Sequence, residues 1–186
     1  MSLFEVPVYV ENLKVDNKSI LKYCKKLKKE DSGIIKSNIG GWHSSPLQGS
    51  HLKLQNLFDE ITEKANIFST QIGKKSKINI SKIWININNY KDFNQYHFHP
   101  NCFLSGVYYV DVFDKGGTIV FANPAQDLME SNWDMRDMSK YTPVNSSIYK
   151  LVPTKGDLVI FPSWLKHTVE PNMTNKDRVS ISFNLS

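Results

Sequence analysis

The sequence predicts a mainly β protein in which helices precede the sheet. From Ile78 onward, short runs rich in β-branched and aromatic residues alternate with turn residues, as is typical of an all-β sandwich or barrel. Before that point, two stretches carry apolar residues at the helical period of 3.6 residues. A chain of 186 residues with 40% hydrophobic and 22% charged residues can bury a core within one domain. We therefore expect a single domain over residues 1–186, with a short strand and helical support over 1–77 and the β core over 78–186.

The N-terminal part is predicted to form one short strand and two amphipathic helices. Residues 4–10 alternate as a strand does. Asp16 or Asn17 can cap the first helix. Its apolar residues are Ile20, Leu21, Cys24 and Leu27. A second helix is expected over about residues 50–72, with the apolar stripe Leu54, Leu57, Phe58, Ile61, Ala65, Phe68 and Ile72. Each helix has one side suited to packing on a sheet.

The β part is predicted to begin with a strand over residues 78–87. Its isoleucines occupy alternate positions, so that Trp84, Asn86 and Asn88 lie on the other face. Further strands are expected at residues 103–112, 118–121, 148–152, 157–161, 167–170 and 179–185. Residues 124–144 show little periodicity, and loops of this length in compact domains commonly serve as lids or binding loops.

Charge and cysteine content restrict the possible partners and the compartment. The formal net charge is +5, but the excess lies in lysine clusters typical of solvated surfaces, and Arg136 and Arg178 are the only arginines. This composition does not favour a nucleic-acid ligand, because arginine is the usual residue for bidentate recognition of bases and phosphates. Cys24 and Cys102 form no disulfide framework. Without a signal-like or membrane-spanning apolar segment, we expect a soluble intracellular protein.

Three histidines suggest a metal site. His97 and His99 are two residues apart, so in an extended chain both side chains point to the same face. His167, far downstream, can supply a third imidazole, and such a set suits a divalent transition metal. In an alternative register His99 acts with Asn101, although an amide is a poor ligand for such a metal. A structural role for His99 in the loop before Pro100 also stays open.

Several stretches in their order and spacing resemble the iron(II)- and 2-oxoglutarate-dependent dioxygenases, specifically small phage and bacterial dioxygenases related to prolyl hydroxylases. The matching stretches are Trp84-Ile85-Asn86, His97-Phe98-His99-Pro100-Asn101, and residues 105–110, 116–121, 156–167 and 178–184. The last of these begins with Arg178-Val179-Ser180. The resemblance implies a double-stranded β-helix (jelly roll), with the N-terminal helices packed on the outside of the sheet. It further implies iron(II), 2-oxoglutarate and O2 at the open mouth, and a phage-like protein in the cytoplasm of a bacterial host.

The resemblance also implies roles for individual residues. The usual metal set in this superfamily contains His-x-Asp or His-x-Glu and a distal His; His99 stands here in place of the acid, giving His97, His99 and His167 as the metal ligands. Arg178 and Ser180 match the positions that bind the distal carboxylate of 2-oxoglutarate, and Tyr109 is a further candidate. If His167 and Arg178 lie on neighbouring antiparallel strands, a few residues of offset separate them by roughly 10 Å. The alternative for Arg178 is a surface salt bridge with Asp177 or Glu170.

The function implied is the hydroxylation of a protein side chain or small molecule, with release of succinate and CO2. Asn86 and residues 124–144 are expected to shape the substrate side, and Trp84 either shares this role or serves ordinary packing. Two alternatives remain at this point. One is a three-histidine dioxygenase of the cupin type, which does not use 2-oxoglutarate and has no need of Arg178. The other is a noncatalytic jelly-roll binding module. The sequence names neither the primary substrate nor an oligomeric state.

Overall fold

The computed structural model describes residues 5–47 and 52–186. The N-terminal elements are β1 (Tyr9–Asn12), α1 (Asn17–Glu30), the two-residue strands β2 (Asn38–Ile39) and β3 (Trp42–His43), and α2 (Gln55–Gln71), which follows a 3-10 turn at Leu52–Leu54. The first strand lies later in the chain than the predicted 4–10, and Phe4 is outside the described residues. The predicted start of the second helix near Ser50 also falls outside them.

Eight strands and one short helix follow. They are β4 (Ile80–Asn88), β5 (Phe93–His97), β6 (Leu104–Asp111), β7 (Ile119–Ala122), α3 (Gln126–Asn132), β8 (Ile148–Leu151), β9 (Asp157–Pro162), β10 (His167–Val169) and β11 (Arg178–Leu185). The strands predicted from residue 78 onward are present, with ends shifted by a few residues. Strands β2, β3 and β5 were not predicted, and the 124–144 segment contains α3 and a 3-10 turn at Met135–Asp137.

The strands form two antiparallel sheets. The six-stranded sheet has the order β1-β9-β6-β11-β4-β3, and the five-stranded sheet has the order β2-β5-β10-β7-β8. Strands β4 to β11 are thus divided equally between the two sheets, and strands that are consecutive in the chain mostly lie in different sheets. This is the arrangement of a jelly roll, which confirms the predicted mainly β fold.

The alternating pattern of β4 separates a core face from a pocket face. Ile83, Ile85 and Ile87 are buried in the main hydrophobic core, whereas Trp84 and Asn86 line a pocket. The same core contains the buried apolar residues of both long helices: Ile20, Cys24, Leu57, Ile61, Ala65 and Phe68. The helices and the pocket therefore use opposite faces of this strand, as the period of two along a strand requires.

Helix α1 begins as the sequence predicted. The carboxylate of Asp16 accepts a hydrogen bond from the backbone N–H of Ser19 at 3.1 Å and another from the Ser19 hydroxyl at 2.6 Å. These contacts identify Asp16, rather than Asn17, as the N-cap, a role that typically stabilises a helix by about 1 kcal/mol. Both cysteines are free thiols. Within residues 5–47 and 52–186, no helix is long and apolar enough to cross a membrane.

Candidate active site

A pocket of about 820 Å³ opens between the two sheets. One wall comes from β4, β6 and β11, and the opposite wall comes from β5, β7, β10 and the residues that follow β5. The predicted site residues His97, His99, His167, Arg178, Ser180 and Tyr109 all line it. The fold therefore brings together side chains that are up to 83 positions apart in the sequence, as His97 and Ser180 are.

The three histidines converge in this pocket. His97 ends β5 and His167 begins β10, and the two residues are direct partners in the antiparallel pairing of these strands. His99 lies two residues past β5, where its backbone N–H donates to the carbonyl of Ser163 at 2.9 Å. One ring nitrogen from each histidine lies within 4.8 Å of the others, a spacing that could hold a metal ion.

Hydrogen bonds orient two of the imidazoles. Nδ1 of His97 lies 2.7 Å from the carbonyl oxygen of Gln95, and Nδ1 of His167 lies 2.9 Å from that of Leu165. Because a carbonyl oxygen can only accept, Nδ1 carries the proton in both rings. Nε2 therefore keeps its lone pair, as a metal ligand requires.

Burial keeps the three imidazoles neutral. It lowers the pKa of His167 to about 3, helped by the neighbouring His97. Burial and the proximity of His97 lower the pKa of His99 to about 4, and burial also lowers the pKa of His97. Each lowered pKa has burial as its largest cause, because desolvation disfavours the charged imidazolium. Neutral imidazole is the form that binds metals.

Arg178 is a buried cation at the far end of the pocket. Its side chain is only 2% exposed, and Nη1 donates to the backbone carbonyls of Gly116 at 2.7 Å and Glu170 at 3.0 Å. No carboxylate of the described residues forms an ion pair with it. The surface salt bridge considered from the sequence is wrong for Glu170, whose carboxylate instead pairs with Lys150 at 2.6 Å. Burial lowers the pKa of Arg178, and Tyr109 and Asp92 oppose this effect at longer range. A buried guanidinium without a paired carboxylate is costly unless a ligand supplies one.

Tyr109 lies close to Arg178 and has a free hydroxyl. The residue is 1% exposed, and its hydroxyl has no hydrogen-bond partner among the described residues. Burial raises the pKa of Tyr109, and the nearby Arg178 opposes this effect. Ser180 is the partner of Tyr109 in the pairing of β11 with β6. Arg178, Tyr109 and Ser180 therefore offer a cation and two hydroxyls to an anionic group.

The pocket face of β4 and β11 forms four successive residue pairs. From the Arg178 end outward these pairs are Arg178 with Asn88, Ser180 with Asn86, Ser182 with Trp84, and Asn184 with Lys82. The carboxamide of Asn86 donates to the Ser182 hydroxyl at 3.0 Å, while its buried oxygen has no partner among the described residues. The Trp84 and His99 ring centres are 5.7 Å apart, which brings the histidines near the third pair.

One expectation about Arg178 was wrong. Strand β10 pairs with β5 and β7, not with β11, so His167 and Arg178 lie on opposite sheets. The segment 171–175 crosses from one sheet to the other and is not a hairpin turn. Because the two residues lie on opposite walls and at different depths of the pocket, a ligand between the sheets can extend from one to the other.

The sequence reasoning missed part of the pocket wall. His43, from the two-residue strand β3, stacks on Trp84 with ring centres 5.6 Å apart and planes 8° apart. Lys82 could have been found, because it continues the alternation of Trp84 and Asn86, whereas no local signal marks His43. Asn101 also lines the pocket. Residues 124–144 supply none of the described lining residues, so their expected part in shaping the substrate side is not supported.

Comparisons with known proteins place these features in context. The family model for 2OG-Fe(II) oxygenases matches residues 82–184. No protein of curated function matches the chain. Among solved structures, a prolyl-4-hydroxylase from Pseudomonas putida is similar with a TM-score of 0.66 and 12% identity, over 96% of this chain and 92% of that one.

Two other solved structures show the same fold. HygX from Streptomyces hygroscopicus, with nickel and 2-oxoglutarate bound, has a TM-score of 0.63 at 8% identity, over 97% of this chain and 83% of that one. A prolyl hydroxylase from Trichoplax adhaerens, in complex with a hypoxia-inducible-factor peptide fragment, has a TM-score of 0.62 at 12% identity, over 96% of this chain and 82% of that one.

Proposed function

The chain belongs to the 2OG-Fe(II) oxygenase family, and on this premise we propose that His97, His99 and His167 are the ligands of its iron(II). Three neutral imidazoles whose nitrogens lie within 4.8 Å of one another fit such an ion. The set departs from the usual one, since His99 stands where many relatives in the superfamily hold a carboxylate. The ion then keeps its full charge of +2, because no ligand residue cancels part of it.

The distal carboxylate of 2-oxoglutarate is proposed to bind Arg178, Ser180 and Tyr109. The observation that carries this proposal is the buried guanidinium of Arg178, which lacks an acidic partner and lies beside the unpartnered hydroxyl of Tyr109. A carboxylate would satisfy both groups at once. The carbonyls of Gly116 and Glu170 hold Nη1, so the guanidinium is already oriented before the ligand enters.

The remaining residues of the pocket would orient and shield the reactants. Together, iron(II), 2-oxoglutarate and O2 supply the oxidising chemistry, with succinate and CO2 as coproducts. The unpartnered oxygen of Asn86 lies one residue pair closer to the histidines than Arg178, beside the proposed path of 2-oxoglutarate. The apolar side chains of Val107 and Phe161 exclude water from the same region.

Hydroxylation of a protein side chain or a small molecule is the proposed outcome. The structural neighbours include prolyl hydroxylases, and one of them holds a peptide. The alternatives, a three-histidine dioxygenase independent of 2-oxoglutarate and a noncatalytic binding module, are not favoured, because the family model is that of 2OG-Fe(II) oxygenases. We further propose that residues 1–186 form one domain, with α1 and α2 on the outer side of the jelly roll.

An anaerobic titration tests the function. Protein loaded with iron(II) is mixed with increasing 2-oxoglutarate, and the weak visible charge-transfer band of the chelate is followed. We expect a saturable band with one equivalent of iron per chain. Iron binding without any such band, together with no heat of 2-oxoglutarate binding in calorimetry, would contradict the proposed function.

A further inference from the structure

The pocket is positively charged and has no acidic lining. Its described lining residues include Lys36, Lys82 and Arg178 but no aspartate or glutamate. Histidine side chains add no negative charge. If iron(II) and the dianion 2-oxoglutarate are bound, their charges cancel, and the cationic side chains still leave the pocket positive.

Lys82 and Arg178 lie at opposite ends of this pocket. Arg178 and Lys82 belong to the first and the fourth of the residue pairs along β4 and β11. Six residues of an extended strand separate Arg178 from Asn184, the partner of Lys82, which corresponds to about 20 Å. A five-carbon diacid is much shorter than this span. When it is bound at Arg178, it therefore cannot neutralise Lys82.

The surroundings of Lys82 are those of a substrate site. Lys82 is exposed and has no ion pair among the described residues. Lys36 and Lys82 both line the pocket, and Lys82 lies two residues before Trp84 on the same face of β4. Trp84 is buried against His43 and His99, with ring centres 5.6 and 5.7 Å away. The Lys82 cation thus lies beyond Trp84, on the side of the proposed metal position that is away from Arg178.

We propose that the primary substrate is an anion whose carboxylate or phosphate binds Lys82. This inference rests on the proposed function, since it assigns the Arg178 end to 2-oxoglutarate. Lys82 acts as a specificity-determining residue: it attracts the anionic substrate and holds one end of it, so that the other end extends toward the histidines. Lys36 strengthens the positive potential at the entrance.

Matched probes test the proposal in the anaerobic protein loaded with iron(II) and saturating 2-oxoglutarate. Hippurate carries a flat ring and a carboxylate, and hippuramide is its neutral counterpart; phenyl phosphate serves as the phosphate probe. Calorimetry is expected to show hippurate or phenyl phosphate binding about threefold or more tightly than hippuramide, which is the strength of one partly exposed ion pair. Whichever of hippurate and phenyl phosphate binds more tightly indicates whether the substrate carries a carboxylate or a phosphate.

A pair of charge-reversal variants provides the control. Lys82→Glu should abolish the preference for the anionic probes, whereas Lys75→Glu, which changes the net charge equally at an exposed position after α2, should leave it unchanged. An absent preference in the wild-type protein, no binding of either anion up to its solubility limit, or an unchanged preference in Lys82→Glu overturns the proposal. The charge-transfer band is recorded first, so a failure of 2-oxoglutarate binding is recognised separately as a failure of the proposed function.

Discussion

Gly117 leaves the space that the guanidinium of Arg178 occupies. A Cβ atom at position 117 would overlap with Nη1 of Arg178 and with the backbone oxygen of Glu170, one of the two carbonyls that hold this nitrogen. Gly117 also has a φ of +99°, a conformation that other residues rarely adopt. The turn before β7 thus positions an arginine of β11, although β7 and β11 belong to different sheets.

This relationship predicts that Gly117→Ala weakens 2-oxoglutarate binding by displacing Arg178. Gly73→Ala is the matched control, because Gly73 has a similar φ of +91° but open space around it. Both variants should lose about 1 kcal/mol or more of unfolding free energy from backbone strain. Only Gly117→Ala should lose 2-oxoglutarate affinity as measured by calorimetry. Equal affinities in the two variants would show that the contact is unimportant for binding.

Arg178→Lys should weaken 2-oxoglutarate binding by about tenfold or more while leaving the iron content unchanged. A lysine ammonium cannot donate to two backbone carbonyls and also present a planar fork to a carboxylate. Arg136→Lys is a suitable control, since Arg136 is exposed and paired with Asp134. Titration of the charge-transfer band measures the affinity. If Arg178→Lys binds 2-oxoglutarate as wild type does, the assignment of Arg178 is wrong.

Tyr109→Phe should separate ligand binding from stability. Its hydroxyl has no partner among the described residues, so its removal should leave the unfolding free energy of the ligand-free protein unchanged or slightly higher. The 2-oxoglutarate affinity should fall about tenfold or more, as expected for the loss of a hydrogen bond to a charged group. Tyr108→Phe should instead lower the unfolding free energy and leave the 2-oxoglutarate affinity unchanged. The Tyr108 hydroxyl donates to Asn17 at a distance of 2.7 Å, and this contact lies outside the pocket. Denaturant unfolding and calorimetry on both variants distinguish these cases.

Substitutions of His99 test the three-histidine set. His99→Asp should retain stoichiometric iron(II), because a carboxylate at this position can still reach the ion. His99→Ala should bind iron far more weakly, since it lacks a ligand atom. Iron affinity and thermal stability are measured side by side for the two variants. Equal iron binding by the wild-type, Asp and Ala proteins would remove His99 from the metal site and leave it a structural role in the loop.

The 124–144 segment should exchange its amide hydrogens faster than β4 and β11. Met129 is its only buried residue, whereas Ile83 through Asn88 in β4 are all buried. Because the segment supplies no described lining residue, iron(II) and 2-oxoglutarate should not change its exchange. Hydrogen exchange followed by mass spectrometry compares the free and loaded protein. Protection of this segment on loading would restore the lid interpretation.

Local patterns in the sequence were sufficient to predict several elements and one face of the site. The isoleucines of β4 identify its core side, and the spacing of His97 and His99 places both side chains on one face. Residue type alone narrows the cap of the first helix to Asp16 or Asn17. These features depend on backbone periods and on short-range hydrogen bonds, which the amino-acid order encodes directly.

The tertiary structure alone decided which strands become neighbours. The sequence suggested that His167 and Arg178 lie on adjacent strands, but pairing of His167 with His97 places them on opposite sheets. Strand β5, Phe93–His97, lacks a clear alternation, and the two-residue strand that carries His43 has no periodicity to detect. Strand partners are selected by packing between distant segments, which no local pattern contains. The histidine cluster, the unpartnered Tyr109 hydroxyl and the separation of Lys82 from Arg178 all follow from that packing.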